Sequence, residues 1–188
     1  MSQTHFFLAL ALPAQTKEFL FKWRTILEKS FPFKSWVHPE DLHITLAFLG
    51  GQASRAELVN LEKAMYEIAE NHVPFMLKIN GLGTFGKSDS PRILWAGVDE
   101  NKSLRDLQKD VYQACVNQGF SLDKRPFSPH ITMARRWKSE QPFPQNDFNG
   151  MLEIAEDEAV CKIEQFVLYQ THMLRTPKYQ PITIFPMS

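Results

Sequence analysis

The sequence has no excess of either charge, its 21 Lys and Arg being matched by 21 Asp and Glu. A protein that grips long nucleic acids through many phosphates carries a basic field, so any nucleic-acid contact here should be local. Cysteine is nearly absent. The two copies, Cys115 and Cys161, form no CxxC or Cys/His ligand spacing, which excludes a structural zinc and places both as reduced thiols of a cytoplasmic protein. Long apolar runs are missing too, and with them a membrane span. The run Phe6 to Leu12 has no Lys or Arg before it and a charged amphipathic segment directly after it, so it does not read as a signal peptide. What remains is a chain of 188 residues, 44% hydrophobic, able to bury a core without cross-links as one domain or as two small lobes.

Hydrophobic spacing alternates between strand and helix. Residues 5–12 read as a buried strand, and Phe19, Leu20, Trp23, Ile26 and Leu27 then recur with the helical period over 14–29. A strand at 42–49 stops at Gly50-Gly51. Ser54 with Glu57 makes a capping box for a second helix whose stripe is Leu58, Leu61, Met65 and Ile68. Strands at 73–80 and 92–98 flank a loop, and Ser103 and Asp106 open a third helix that turns Leu104, Leu107, Val111 and Cys115 inward and ends at Gly119. A strand at 130–135, a Pro- and Asn-rich loop at 139–150, and strands near 163–170 and 181–185 complete the chain. The strands of 73–98 are too close together for a crossover helix, which favours antiparallel α+β over a parallel sheet.

One tetrapeptide occurs twice. His43-Ile44-Thr45-Leu46 and His130-Ile131-Thr132-Met133 each fall on an expected strand. With 6 His and 9 Thr in the chain, one H-x-T is expected by chance only roughly 0.3 times. Alternation along a strand sends the His and Thr of each copy to one face and the two aliphatic residues to the other. Each motif therefore presents an imidazole beside a hydroxyl, on an anchored apolar backing.

In-line displacement at phosphorus needs a base on one side and an acid on the other. Imidazole titrates near neutral pH, so one ring can take a proton from water while its partner gives one to the departing ribose oxygen, with no metal and no cofactor. Thr45 and Thr132 can each donate a hydrogen bond to a non-bridging oxygen, and Arg135 can offset the charge that builds there. The candidate catalytic pair is thus His43 and His130, with Thr45, Thr132 and Arg135 as phosphate ligands.

The chain resembles the two-histidine phosphoesterase superfamily, and within it the RNA 2′,3′-cyclic phosphodiesterases once called LigT-type 2′-5′ RNA ligases. The resemblance runs through Phe6 to Pro13, Leu42 to Gly50, Gly83-Thr84-Phe85, Arg92 to Gly97 and Pro126 to Thr132, and Arg135 falls where the family has its arginine after the second motif. It implies a bilobal α+β fold, 1–188, with two antiparallel sheets facing a central cleft across a pseudo-twofold axis and helices outside. It further implies a monomer that acts on RNA ends or small nucleotides carrying a 2′,3′-cyclic phosphate, opens them to a 2′-phosphomonoester, and can run the reverse 2′-5′ ligation. By the same resemblance His43 is the proton donor and His130 the acceptor. The family has an arginine where this chain has His5, and a serine near Thr171.

Other patterns compete. Gly81 to Ser88 matches the phosphate loop GxxxxGK[ST], but that site needs a helix to begin at its end, and Asp89-Ser90-Pro91 followed by a β-type run forbids one. The segment reads as a hairpin loop. His38 and His72 have no metal-ligand spacing; His172, with Arg175 and Lys178, reads as the cleft mouth or a solvated basic loop. Phe7, Trp36 and Tyr179 are candidate base-stacking platforms. A nucleotide-binding module without turnover is the alternative from a different class.

Overall fold

The computed structural model describes residues 4–51, 53–151 and 159–188. Its elements, in chain order, are β1 (Phe6–Ala11), α1 (Ala14–Ser30), β2 (Phe33–Trp36), a 3-10 turn (Pro39–Asp41), β3 (His43–Gly50), α2 (Arg55–Glu70), β4 (Phe75–Gly86), β5 (Pro91–Val98), α3 (Lys102–Asn117), β6 (His130–Trp137), α4 (Gln145–Met151), β7 (Ala159–Ile163), β8 (Gln165–Thr171) and β9 (Tyr179–Pro186). All strand pairs are antiparallel.

Two half-sheets carry the site. One runs β3-β1-β8-β9 and the other β7-β4-β5-β6, with β2 paired to β6. They meet at one residue pair, Ile44↔Ile131, which joins them into a single continuous sheet. That pair lies at the centre of both H-x-T motifs, so the local pseudo-twofold relates His43 to His130 and Thr45 to Thr132. Neither half is contiguous in sequence. β2 lies between β1 and β3 in sequence yet pairs with β6 of the other half, and β8 follows β7 yet pairs with β1, so each half is completed by a strand from elsewhere in the chain.

A second symmetric feature follows the motifs. Against β1, the register slips between Ala47 and Thr45; against β5, it slips between Ala134 and Thr132. Each slip is a bulge that leaves two consecutive residues buried, Leu46-Ala47 and Met133-Ala134, and so shifts the alternation by one. Phe48 and Arg135 occupy the equivalent exposed positions that result.

The helices pack their apolar stripes on the sheet. Leu20, Trp23 and Leu27 of α1, Leu61 and Met65 of α2, and Leu104, Leu107, Val111 and Cys115 of α3 are buried with Leu8, Leu10, Ile44, Leu94 and Ile131. Each fully buried Leu or Ile contributes about 1.5–3 kcal/mol. The Ser54–Glu57 capping box forms as expected. Other expectations need correcting. Asn101, not Ser103, caps α3, its side chain accepting from the Leu104 N–H at 2.9 Å; Asn caps as well as Ser, and Ser103 already lies inside the helix. The 139–150 loop contains α4, and Gly81 to Gly86 extend β4 instead of forming a loop. β2 and β7, of four and five residues, are too short for alternation to reveal.

Candidate active site

His43 opens β3 immediately after the 3-10 turn, and His130 opens β6. Both rings are fixed in the same way. His43 Nδ1 donates to the Asp41 carbonyl at 2.7 Å, and His130 Nδ1 donates to the Ser128 carbonyl at 2.8 Å. A carbonyl only accepts, so each Nδ1 carries a proton and each Nε2 is the nitrogen free to exchange one. Thr45 Oγ1 lies 3.1 Å from His43 Nε2, on the same strand face two residues on.

The surroundings of the two rings differ. Around His43 stand Phe7 at 4.9 Å, Tyr179 edge-on at 5.1 Å and Tyr169 at 6.4 Å between ring centres. His130 has Phe85 edge-on at 4.9 Å. Burial pushes the His43 pKa down to about 4, against the hydrogen bond to Asp41 that raises it; the Arg135 charge lowers it further, and His130 adds to this. His130 is lowered too, chiefly by burial, with its Ser128 bond opposing and Arg135 adding. Both rings are therefore neutral at pH 7. Arg135, on β6, acts electrostatically on both histidines and bonds the Tyr179 side chain, so one cation reaches both motifs.

Asp41 ties the first motif together, and no sequence pattern singled it out. Its carboxylate, 5% exposed, accepts from the Lys178 N–H at 2.9 and 3.0 Å and from the Tyr179 N–H at 3.0 Å. Its carbonyl holds His43. One residue thus sets the ring's tautomer and anchors the strand that brings Tyr179 against it. The signal was faint: an acid two residues before a strand histidine.

The other candidates fall as follows. Phe7 is buried between His43, Tyr169 and Tyr179, which makes it a support for the histidine instead of an open platform. Trp36 packs edge-on against Phe33. His5 lies against Phe48, ring centres 5.6 Å apart, with its Nδ1 buried and unbonded. His38 caps the 3-10 turn by accepting from the Glu40 N–H, and His72 pairs with Asp110 at 2.9 Å. His172 lies in the β8–β9 turn, its Nε2 buried and unbonded. The second half adds Trp95, which pairs with Thr132 and packs on Phe85. Its ring covers Gly83, where any Cβ would collide with it. The Gly81 to Ser88 segment is followed by a turn and β5, so no helix N-terminus is there to meet a phosphate. Among the described residues no three His, Cys, Asp or Glu side chains form a metal-ligand set, and no helix is long and apolar enough to cross a membrane.

This fold and paired-histidine layout define a class, and comparison with known proteins places the chain in it. The profile of the 2′-5′ RNA ligase superfamily matches residues 12–173, and the chain belongs to that family. It is 43% identical over 187 residues to an RNA 2′,3′-cyclic phosphodiesterase of Geobacillus stearothermophilus, a match covering all of this chain and 58% of that relative. It is 34% identical over 184 residues to the Bacillus subtilis RNA 2′,3′-cyclic phosphodiesterase, covering 98% of this chain and 97% of the relative. Among solved structures, E. coli LigT complexed with 3′-AMP superposes with a TM-score of 0.79 at 25% identity over 98% of both chains. A Thermus thermophilus protein, TT0787, matches the fold at 0.76 and 24% identity, over 97% of both chains.

Proposed function

We propose that the protein is an RNA 2′,3′-cyclic phosphodiesterase, a hydrolase that opens the cyclic phosphate at an RNA end to a 2′-phosphomonoester. One observation carries this reading: two His/Thr pairs related by a pseudo-twofold axis, each ring locked through Nδ1 to the main chain with Nε2 left to move a proton. The names of the relatives support it, and the matched structure holds a nucleotide.

In the reaction, a water oxygen attacks phosphorus while one Nε2 takes its proton. The P–O3′ bond breaks, and the other ring protonates O3′. Family resemblance assigns His130 the first role and His43 the second. His43 is neutral in the free protein chiefly because it is buried, so it takes a proton from solvent when the phosphate's negative charge enters beside it. Thr45 and Thr132 donate to the non-bridging oxygens, and Arg135 balances their charge. With a ribose 5′-hydroxyl in place of water, the same steps make a 2′-5′ junction. The unit proposed to act is the whole chain, 1–188, because strand exchange leaves neither half complete alone, and it is proposed to act as a cytoplasmic monomer.

The test is incubation of the purified protein with a 2′,3′-cyclic-phosphate oligonucleotide in excess EDTA, followed by product identification. A 2′-phosphate end is expected. A 3′-phosphate end, or turnover restored only by a divalent metal, overturns the mechanism.

A further inference from the structure

In the first motif, Thr45 has one proton and two acceptors competing for it. The Asp41 carbonyl, 2.7 Å from His43 Nδ1, can only accept, so Nδ1 carries the proton of the neutral ring. His43 Nε2 is then a bare lone pair. Thr45 Oγ1 lies 3.1 Å from it, so in the free protein the hydroxyl donates to the ring. A non-bridging phosphate oxygen is an acceptor as well, and the single hydroxyl proton serves either the ring or the phosphate. When His43 gains a proton the bond reverses. Nε2–H becomes the donor, Thr45 Oγ1 accepts, and the hydroxyl proton is released to the substrate.

The second motif lacks this competition. The Ser128 carbonyl holds His130 Nδ1 at 2.8 Å in the same way, but among the described residues no hydrogen bond joins His130 Nε2 to Thr132. The charged and titratable groups that face His43 come from four elements: Asp41 on the 3-10 turn, Arg135 and His130 on β6, Tyr169 on β8 and Tyr179 on β9. Burial raises both tyrosines, Tyr169 to about 12, so neither ionises near neutral pH. The Asp41 carboxylate is engaged by the Lys178 and Tyr179 N–H groups. His130 is the other imidazole, and Thr132 is the control that reports on it.

We propose that Thr45 senses the proton on His43: it donates to the phosphate only while that ring is protonated, and withdraws once the ring has given its proton away. This rests on the cyclic phosphodiesterase reading and adds the order of events at the acid. As substrate enters, His43 takes a proton from solvent and Thr45 turns its own toward a non-bridging oxygen. When the P–O3′ bond breaks, its electron pair stays on O3′, which takes the Nε2 proton. The ring is neutral again, and the Thr45 hydroxyl turns back to Nε2. One phosphate contact is thus lost in the step that forms the product, while Thr132 keeps its own.

The experiment measures, by calorimetry across a range of pH, binding of a nucleoside 2′-sulfate, a product analogue whose charge stays constant over that range. Wild type is compared with Thr45→Val, Thr45→Ser and Thr132→Val, each checked by its melting temperature. Thr45→Val should bind about tenfold more weakly than wild type at about pH 5 and within about twofold of it at about pH 9, because a charge-assisted hydrogen bond is lost only where His43 is protonated. Thr45→Ser, which keeps the hydroxyl, should follow wild type throughout, and Thr132→Val should lose the same factor at every pH. In a His43→Ala background the cost of Thr45→Val should no longer depend on pH. A Thr45→Val loss of equal size at both extremes, a matching pH dependence in Thr132→Val, or a pH-dependent loss that persists without His43 overturns the proposal and leaves the cyclic phosphodiesterase reading in place. Wild type that fails to open a 2′,3′-cyclic-phosphate oligonucleotide removes that reading and this proposal together.

Discussion

Acidification should destabilise this protein through His43 in particular. Burial holds its pKa near 4 in the folded state, against about 6.5 in the unfolded chain. The unfolded state therefore binds more protons between these values. Unfolding free energy rises with pH across that window and is lost as pH falls from about 6.5 toward 4. A separation of 2.5 units is worth about 3 kcal/mol at about 1.4 kcal/mol per unit, and nearly all of it is spent by pH 4. The assay is urea denaturation at several pH values between 7 and 4, for wild type and His43→Gln, which keeps a hydrogen-bonding side chain without the titration. The difference between the two stabilities should shrink by about 3 kcal/mol in the mutant's favour as pH falls. Parallel curves would show that His43 titrates normally and that the enclosed, neutral ring is wrong. Inorganic phosphate should counteract the loss, because an anion at Nε2 raises the ring's pKa and binds the folded form alone.

Asp41→Asn replaces a charged acceptor of two main-chain N–H groups by a neutral one, which should cost about 1–3 kcal/mol and lower kcat by loosening Tyr179 against His43; unchanged melting and unchanged kcat would deny its tethering role. His43→Ala and His130→Ala should each lower kcat by about 10²–10⁴ with binding of a 2′-phosphate product nearly intact. Thr45→Val should weaken product affinity and kcat together, since the hydroxyl meets phosphate in ground and transition states alike. Lys87→Ala should alter neither quantity, and its inactivity beside active histidine mutants would reopen the phosphate-loop reading.

The sequence was most informative where the chain repeats itself or keeps a strict period. The duplicated H-x-T, the helical stripes of α1 to α3 and the strands β1, β3, β5 and β6 were legible, because alternation and the 3.6-residue period are local properties, whereas the glycine-rich second half of β4 read as a loop. The residues that complete the site were not legible. Asp41 becomes important only because Lys178 and Tyr179 return to it across 137 and 138 positions. The exchange of β2 and β8 between half-sheets is topology, and no local pattern announces it.

The pseudo-symmetry itself explains how one motif used twice yields two different proton carriers. The backbone repeats closely: the same tautomer-fixing carbonyl two residues before each histidine, the same bulge after each threonine, and the central Ile44↔Ile131 pair. Here the side chains break the symmetry. Three aromatic rings enclose His43 where one meets His130, and the exposed position after the bulge is Phe48 in one half and Arg135 in the other. Enclosure depresses His43 more strongly, and the single guanidinium acts on both rings from one side. In the proposed reaction, a phosphate held at Arg135 would offset that guanidinium's influence on both histidines at once, and most of all on the more deeply enclosed ring, since charge effects are strongest where solvent is excluded. The fold thus repeats the geometry that in-line displacement needs on both sides of phosphorus, and varies the surroundings that decide which ring holds the proton.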